Sequence, residues 1–256
     1  RNKMAKIVDF QELGLIKVPE KTETYIPVSH QELVTKITEA GNKHYGQEAS
    51  KHKYEVNHRG QQLFGSLVWE GENNSMSRSI GFRNSYNKTL PVGVCGGANV
   101  TVCSNLMFVG DVIKMRKHTQ NVGDDLDALI VKLFEDVDKR YTQAHSDAGY
   151  MQEIPLSNEQ AADYLGQLFV NQNVLNSSQI NKAADEWFNS KDFTSRTLWS
   201  AYNACTEALK SAHPSNALEK YTKLHTFTED YTLNAYKQHV QDEISSIENA
   251  EPAIWV

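Results

Sequence analysis

The feature that most constrains this chain is a change of hydrophobic period. From about residue 51 apolar side chains recur at every second position, and from Asp124 they recur every third or fourth. A period of two marks a strand with one face buried, and a period of 3.6 marks one stripe of a helix. The fold class is therefore α+β: an antiparallel β-sheet in the N-terminal half packed with helices, then a helical C-terminal half. The links between the strand-like runs are short, which favours antiparallel pairing because parallel pairs need long crossovers.

Tyr54 and Val56 alternate with charged residues, and Arg59-Gly60-Gln61 makes a turn. Leu63, Leu67 and Trp69 mark a buried strand that ends at the turn signal Gly71-Glu72-Asn73-Asn74. Met76, Ile80 and Phe82 mark the next strand, and residues 90–103 and 106–116 give two more. Upstream, Pro19 and Pro27 exclude a helix interior and predict a strand or an arm laid across the fold. Ser29 and Glu32 then form a capping box for a helix carrying Leu33, Ile37 and Ala40, with Gly41 as its stop. Downstream, Leu126, Leu129, Ile130, Leu133, Phe134, Val137 and Tyr141 define an amphipathic helix whose first turn carries Asp124, Asp125 and Asp127. A second capping box at Ser157–Gln160 opens another helix, and Ile180–Phe188, Leu198–Leu209 and a long segment from Asn216 read as three more. The domain division is 1–150 and 151–256, with residues 146–156 as the candidate boundary.

Several function classes are disfavoured. No apolar run reaches the roughly 18–20 residues needed to cross a bilayer, and no apolar stretch follows the first basic residues. Cys95, Cys103 and Cys205 cannot complete a disulfide framework and read as buried free thiols, so the expected location is the cytoplasm. Gly93-Val94-Cys95-Gly96-Gly97 matches no phosphate-binding loop and reads as close backbone approach within a sheet. The histidines show no metal-ligand spacing, and no nucleophile elbow surrounds any cysteine. The expectation is no catalytic residue, no metal and no cofactor, with a metal-dependent nuclease around Asp124 as an alternative.

Charge is more informative. The net charge of −6 conceals an island at residues 73–119, where Arg78, Arg83, Lys88, Lys114, Arg116 and Lys117 face only Asp111, a local +5. Residues 120–170 carry three basic and ten acidic groups, a local −7. On the strand predicted over 106–116, Lys114 and Arg116 share one face, and Val109, Ile113 and Met115 the other. Tyr86 lies close to Arg83 and Lys88 in sequence. Cations with a nearby ring suit single-stranded nucleic acid, because cations meet phosphates while rings stack on bases. A solvated face, or ion pairs to the acidic helix of residues 124–138, explains the same residues.

Three blocks in this region resemble a known family. They are Ser79–Leu90 with Val92-Gly93 and Gly96–Val100; Val102–Leu106 with Phe108; and Arg116–Thr119. Together they resemble the phage- and plasmid-like proteins grouped as domain of unknown function 932, over roughly residues 18–145 or the whole chain. The resemblance supplies no catalytic residue, but it implies a role in replication, recombination or countering host defence. The leading expectation is a single-stranded DNA-binding protein with an annealing or recombination role. Its contacts would be Arg78, Arg83, Tyr86, Lys88, Lys114, Arg116 and Lys117. The other expectation is an oligomer that binds a host protein through Trp187, Phe188, Trp199, Tyr202 and Ile254-Trp255-Val256.

Overall fold

The computed structural model describes residues 6–71, 76–100, 105–108, 113–114 and 122–248. Seven strands form one antiparallel sheet: β1 (Lys6–Val8), β2 (Lys51–Asn57), β3 (Gln62–Trp69), β4 (Met76–Ser85), β5 (Gly93–Val100), β6 (Asn105–Phe108) and β7 (Ile113–Lys114). The first six lie side by side in chain order, and β7 pairs with the start of β5. The strand expected over 106–116 is represented by β6 and β7; residues 109–112 and 115–116 lie outside the described residues. Helices α1 (Phe10–Leu15) and α2 (His30–Tyr45) precede β2, and α3 (Val122–Glu153), α4 (Asn158–Val170), α5 (Ser177–Asn189), α6 (Leu198–Leu209) and α7 (Pro214–Glu248) follow β7. The α+β class expected from the period change is the one observed.

Caps fix most of the helix starts. Asp9, Ser157 and Asn176 each accept from a backbone N–H one turn ahead, and the residue at that point reaches back to close the box. Ser29 accepts from Glu32 N–H and begins α2. Gly41 does not end that helix. The helix runs on to Tyr45, and Gly46, with φ of 65°, is the left-handed stop. Gly41 is there because a Cβ would lie 2.2 Å from the Trp69 ring. Gly96 plays a similar part on β5, where a Cβ would meet Val137 of α3 at 2.8 Å. The glycine-rich run of β5 is thus a close backbone approach, as expected.

Strand alternation gives the sheet two different faces. Tyr54, Val56, Leu63, Leu67, Trp69, Ile80 and Val94 join one hydrophobic core with Leu33 and Ile37 of α2 and Leu126–Val137 of α3. A second core joins Cys95 to Tyr141–Met151 of α3 and to helices α4–α7. α3 therefore contributes its first half to one core and its second half to the other. The boundary expected near residue 150 falls inside this unbroken helix. The segment between Pro19 and Pro27 is an arm, with one isolated bridge between Thr22 and Tyr25. Tyr25 is buried and its hydroxyl donates to the Ser85 and Tyr86 carbonyls.

Candidate functional site

The sheet face turned away from α2 and α3 carries many polar side chains beside the apolar Phe64, Val68 and Cys95. Asn57, Gln62, Ser66, Ser77, Ser79, Arg83, Ser85 and Asn99 alternate out of β2–β5 to this side, and all eight are buried. The α6–α7 junction crosses over them: Asn57 meets His213 at 3.3 Å, and Arg83 pairs with Glu219. Between this junction and the outer strands opens a cleft of about 430 Å³. That volume falls within the roughly 300–1,000 Å³ typical of small-ligand pockets.

The cleft has three kinds of wall. Lys51, His52, Lys53 and Lys210 line it from the exposed side. Phe64 and Val68 of β3 and Ala217, Leu218 and Tyr221 of α7 supply apolar surface. Ser66 and Asn99 are its buried polar groups. Lys51–Lys53 runs past the end of β1, which pairs only with Tyr54–Val56, so the cationic segment is left at the sheet edge among the described residues. Lys53 pairs with Glu55 at 3.0 Å, and Lys210 with Glu207. The Tyr221 hydroxyl donates to Thr206 O at 3.2 Å; burial, reinforced by the charges of Glu207 and Glu55, holds it neutral. An apolar interior with a cationic mouth suits a flat or apolar group that carries an anion outside it.

Of the seven residues expected to contact nucleic acid, Arg78, Arg83, Tyr86 and Lys88 have described side chains, and these four do not share one exposed surface. Arg78 donates to Asp138 at 3.1 Å and to Glu70 O at 3.3 Å, and it lies over the rings of Tyr45 and Tyr141 at 5.1 and 4.9 Å. Its acidic partner lies on the helix that the ion-pair alternative named. Arg83 is buried and paired with Glu219. Tyr86 is buried, stacked on His30 at 3.8 Å, and its hydroxyl accepts from His30 N–H at 2.8 Å. Lys88 is exposed, with its ammonium 4.5 Å from the Tyr25 ring centre. Lys114 is placed by its backbone opposite Gly93. Arg116 and Lys117 lie outside the described residues.

Other expectations divide similarly. Cys95 and Cys205 are buried, and burial raises the Cys205 thiol far above its usual range; Cys103 lies outside the described residues. Trp187, Trp199 and Tyr202 are core residues, while Phe188 is exposed and residues 254–256 lie outside the described residues. Among the described residues no helix is long and apolar enough to cross a membrane. The sequence reading missed Lys51, Lys53 and Lys210. The first two had a signal, since they alternate with Tyr54 and so fall opposite the core; Lys210 joins them only through the tertiary fold. It also missed Asp147, His225 and Glu229, whose ligand atoms lie within 4.8 Å of one another.

A family model described as Domain of unknown function (DUF932) matches residues 21–240. The match reaches from the arm before α2 into α7, well beyond the blocks that carried the resemblance. No curated protein and no solved structure matches the chain.

Proposed function

The chain belongs to the DUF932 family, and we propose that it acts there as a single-stranded DNA-binding protein serving strand annealing, recombination or replication. The observation that carries this reading is the cleft: lysines at its mouth, aromatic and aliphatic walls, and two buried polar side chains within. Phosphates run along Lys51, Lys53 and Lys210, and a base enters beside Phe64 and Tyr221. Lys88, Lys114, Arg116 and Lys117 keep the phosphate-contacting role expected of them from the sequence. Arg78, Arg83 and Tyr86 support it from within, by holding the sheet to its helices and arm.

Fluorescence anisotropy with labelled single- and double-stranded oligonucleotides, over a salt series, tests this. Single strands should bind more tightly than duplex. The double variant Lys51→Ala/Lys53→Ala should lose at least tenfold in affinity. Its dependence of log K on log salt should be shallower by about 1.4, the contribution of two phosphates on a single strand. Equal binding by variant and wild type would remove the cleft from the proposal, and absence of single-strand binding would remove the function. Added magnesium should leave the strands intact; degradation would favour a nuclease.

A further inference from the structure

Further along α7 from the cleft residues Leu218 and Tyr221, two helices place three ligand-type side chains around one point. His225 and Glu229 stand one turn apart on α7, so they share a face. Asp147 projects from the second half of α3. His225 Nε2 lies 3.1 Å from Asp147 Oδ2 and 3.8 Å from Glu229 Oε1. The His225 side chain is fully buried, Asp147 nearly so, and Glu229 keeps a side-chain exposure of 39%.

A hydrogen bond accounts for only part of this. A proton on Nε2 serves Asp147 at 3.1 Å and leaves Glu229, at 3.8 Å, beyond hydrogen-bond reach. A cation bound about 2.1 Å from each ligand atom puts neighbouring ligand atoms about 3.0 Å apart in octahedral geometry and about 3.4 Å apart in tetrahedral geometry. The tetrahedral arrangement is the nearer one: it moves the two imidazole–carboxylate separations by about 0.3 and 0.4 Å, and it draws together the two carboxylates, which lie within 4.8 Å of each other.

The surroundings give an independent indication. The Tyr202 hydroxyl is fully buried and has no hydrogen-bond partner among the described residues, yet it lies within electrostatic reach of both Asp147 and Glu229. Its ring meets that of His225 edge-on at 5.9 Å. A phenol left unpartnered in a dry interior is costly, and a water held by a cation beside it would satisfy it. Asp147 is itself oriented by Gln143, whose amide donates to Oδ1 at 2.7 Å. Outer-layer contacts of this kind fix a ligating carboxylate.

We propose that Asp147, His225 and Glu229 bind one first-row divalent cation of the zinc class, clamping α3 to α7. One imidazole and two carboxylates suit a borderline cation such as zinc better than calcium or magnesium, which take oxygen-only shells. The exposed edge of Glu229 is the entry path.

Isothermal titration calorimetry of the tag-free full chain with zinc chloride provides the test, with thermal unfolding followed in parallel. One zinc per chain should bind, and the midpoint of unfolding should rise with zinc concentration. Glu229→Gln alters a partly exposed residue and should fold normally by circular dichroism; Asp147→Asn is the second variant. Each should weaken zinc binding at least tenfold and lose the thermal shift. Loss in either variant supports the site. No saturable uptake by the wild-type chain, or full affinity in both variants, would overturn it.

Discussion

Ser79 and Ile80 are neighbours on β4, both completely buried, and they face opposite ways. Ile80 enters the apolar core beneath α2 and α3, whereas Ser79 joins the polar side beneath α6 and α7, where its hydroxyl has no hydrogen-bond partner among the described residues. The same burial therefore has opposite thermodynamic meanings one residue apart. On the first face it removes apolar surface from water and stabilises the fold. On the second it strips water from a hydroxyl without replacing the bond, which destabilises it. A sheet built only for stability would be apolar on both covered faces. The polar face is where function is better sought.

The largest expected effect breaks this pair apart. Ile80→Ala should cost about 4 kcal/mol, from lost transfer energy and the cavity left behind. Ser79→Ala should be close to neutral or slightly stabilising, because it removes a buried hydroxyl with no partner. Urea unfolding of the two variants measures both. A comparable loss in Ser79→Ala would show that the hydroxyl is satisfied and that the faces are energetically alike.

Arg83 tests the polar face at a deeply buried charge. Its guanidinium pairs with Glu219 of α7, whose side chain keeps 29% exposure. Arg83→Met should cost about 2.5 kcal/mol, since it deletes a charge-assisted hydrogen bond whose arginine is buried. The double variant Arg83→Met/Glu219→Leu should recover most of that loss, because replacing both halves of a buried pair by apolar groups is often near neutral. No recovery in the double variant would mean that the arginine's value lies in contacts other than this pair.

The apolar face was the legible one. Leu63, Leu67, Trp69 and Ile80 follow a period of two, and Leu126–Val137 follow 3.6, so strand, helix and buried side all follow from spacing. Gly41 was misread because its role depends on Trp69, which reaches it across 28 positions of sequence, and no local pattern encodes that approach. The polar face was visible as alternating Ser66, Ser77, Ser79 and Arg83, but alternation alone implies solvent. Helices α6 and α7, more than 100 residues away, bury it, and only the tertiary fold brings Lys210 to Lys51 and His225 to Asp147. The basic island was correctly located as a charge feature. The partners Asp138 and Glu219 and the stacking of His30 on Tyr86 are spatial facts that its composition does not contain.

The smallest effect sharpens the comparison through pH. Where the polar face holds Arg83 as an ion, the α2 side of the sheet holds a histidine as a neutral ring. His30 is fully buried; its Nε2–H donates to Gly60 O at 2.9 Å, and its Nδ1 accepts from the Asn84 amide at 3.1 Å. Burial lowers its pKa from 6.5 to about 4, against a smaller opposing effect of the Gly60 bond. As pH falls through 6.5 the unfolded chain takes up a proton that the native chain refuses until about 4, so stability is lost across that window. Between pH 6.5 and 5 the loss from this residue should be about 2 kcal/mol. Urea unfolding at pH 7 and pH 5 should show that loss in the wild-type chain, and His30→Gln, less stable at neutral pH, should show a flatter dependence. An unchanged slope in His30→Gln would place the acid sensitivity elsewhere and leave His30 able to carry charge inside the fold, erasing the distinction between the two sides of the sheet.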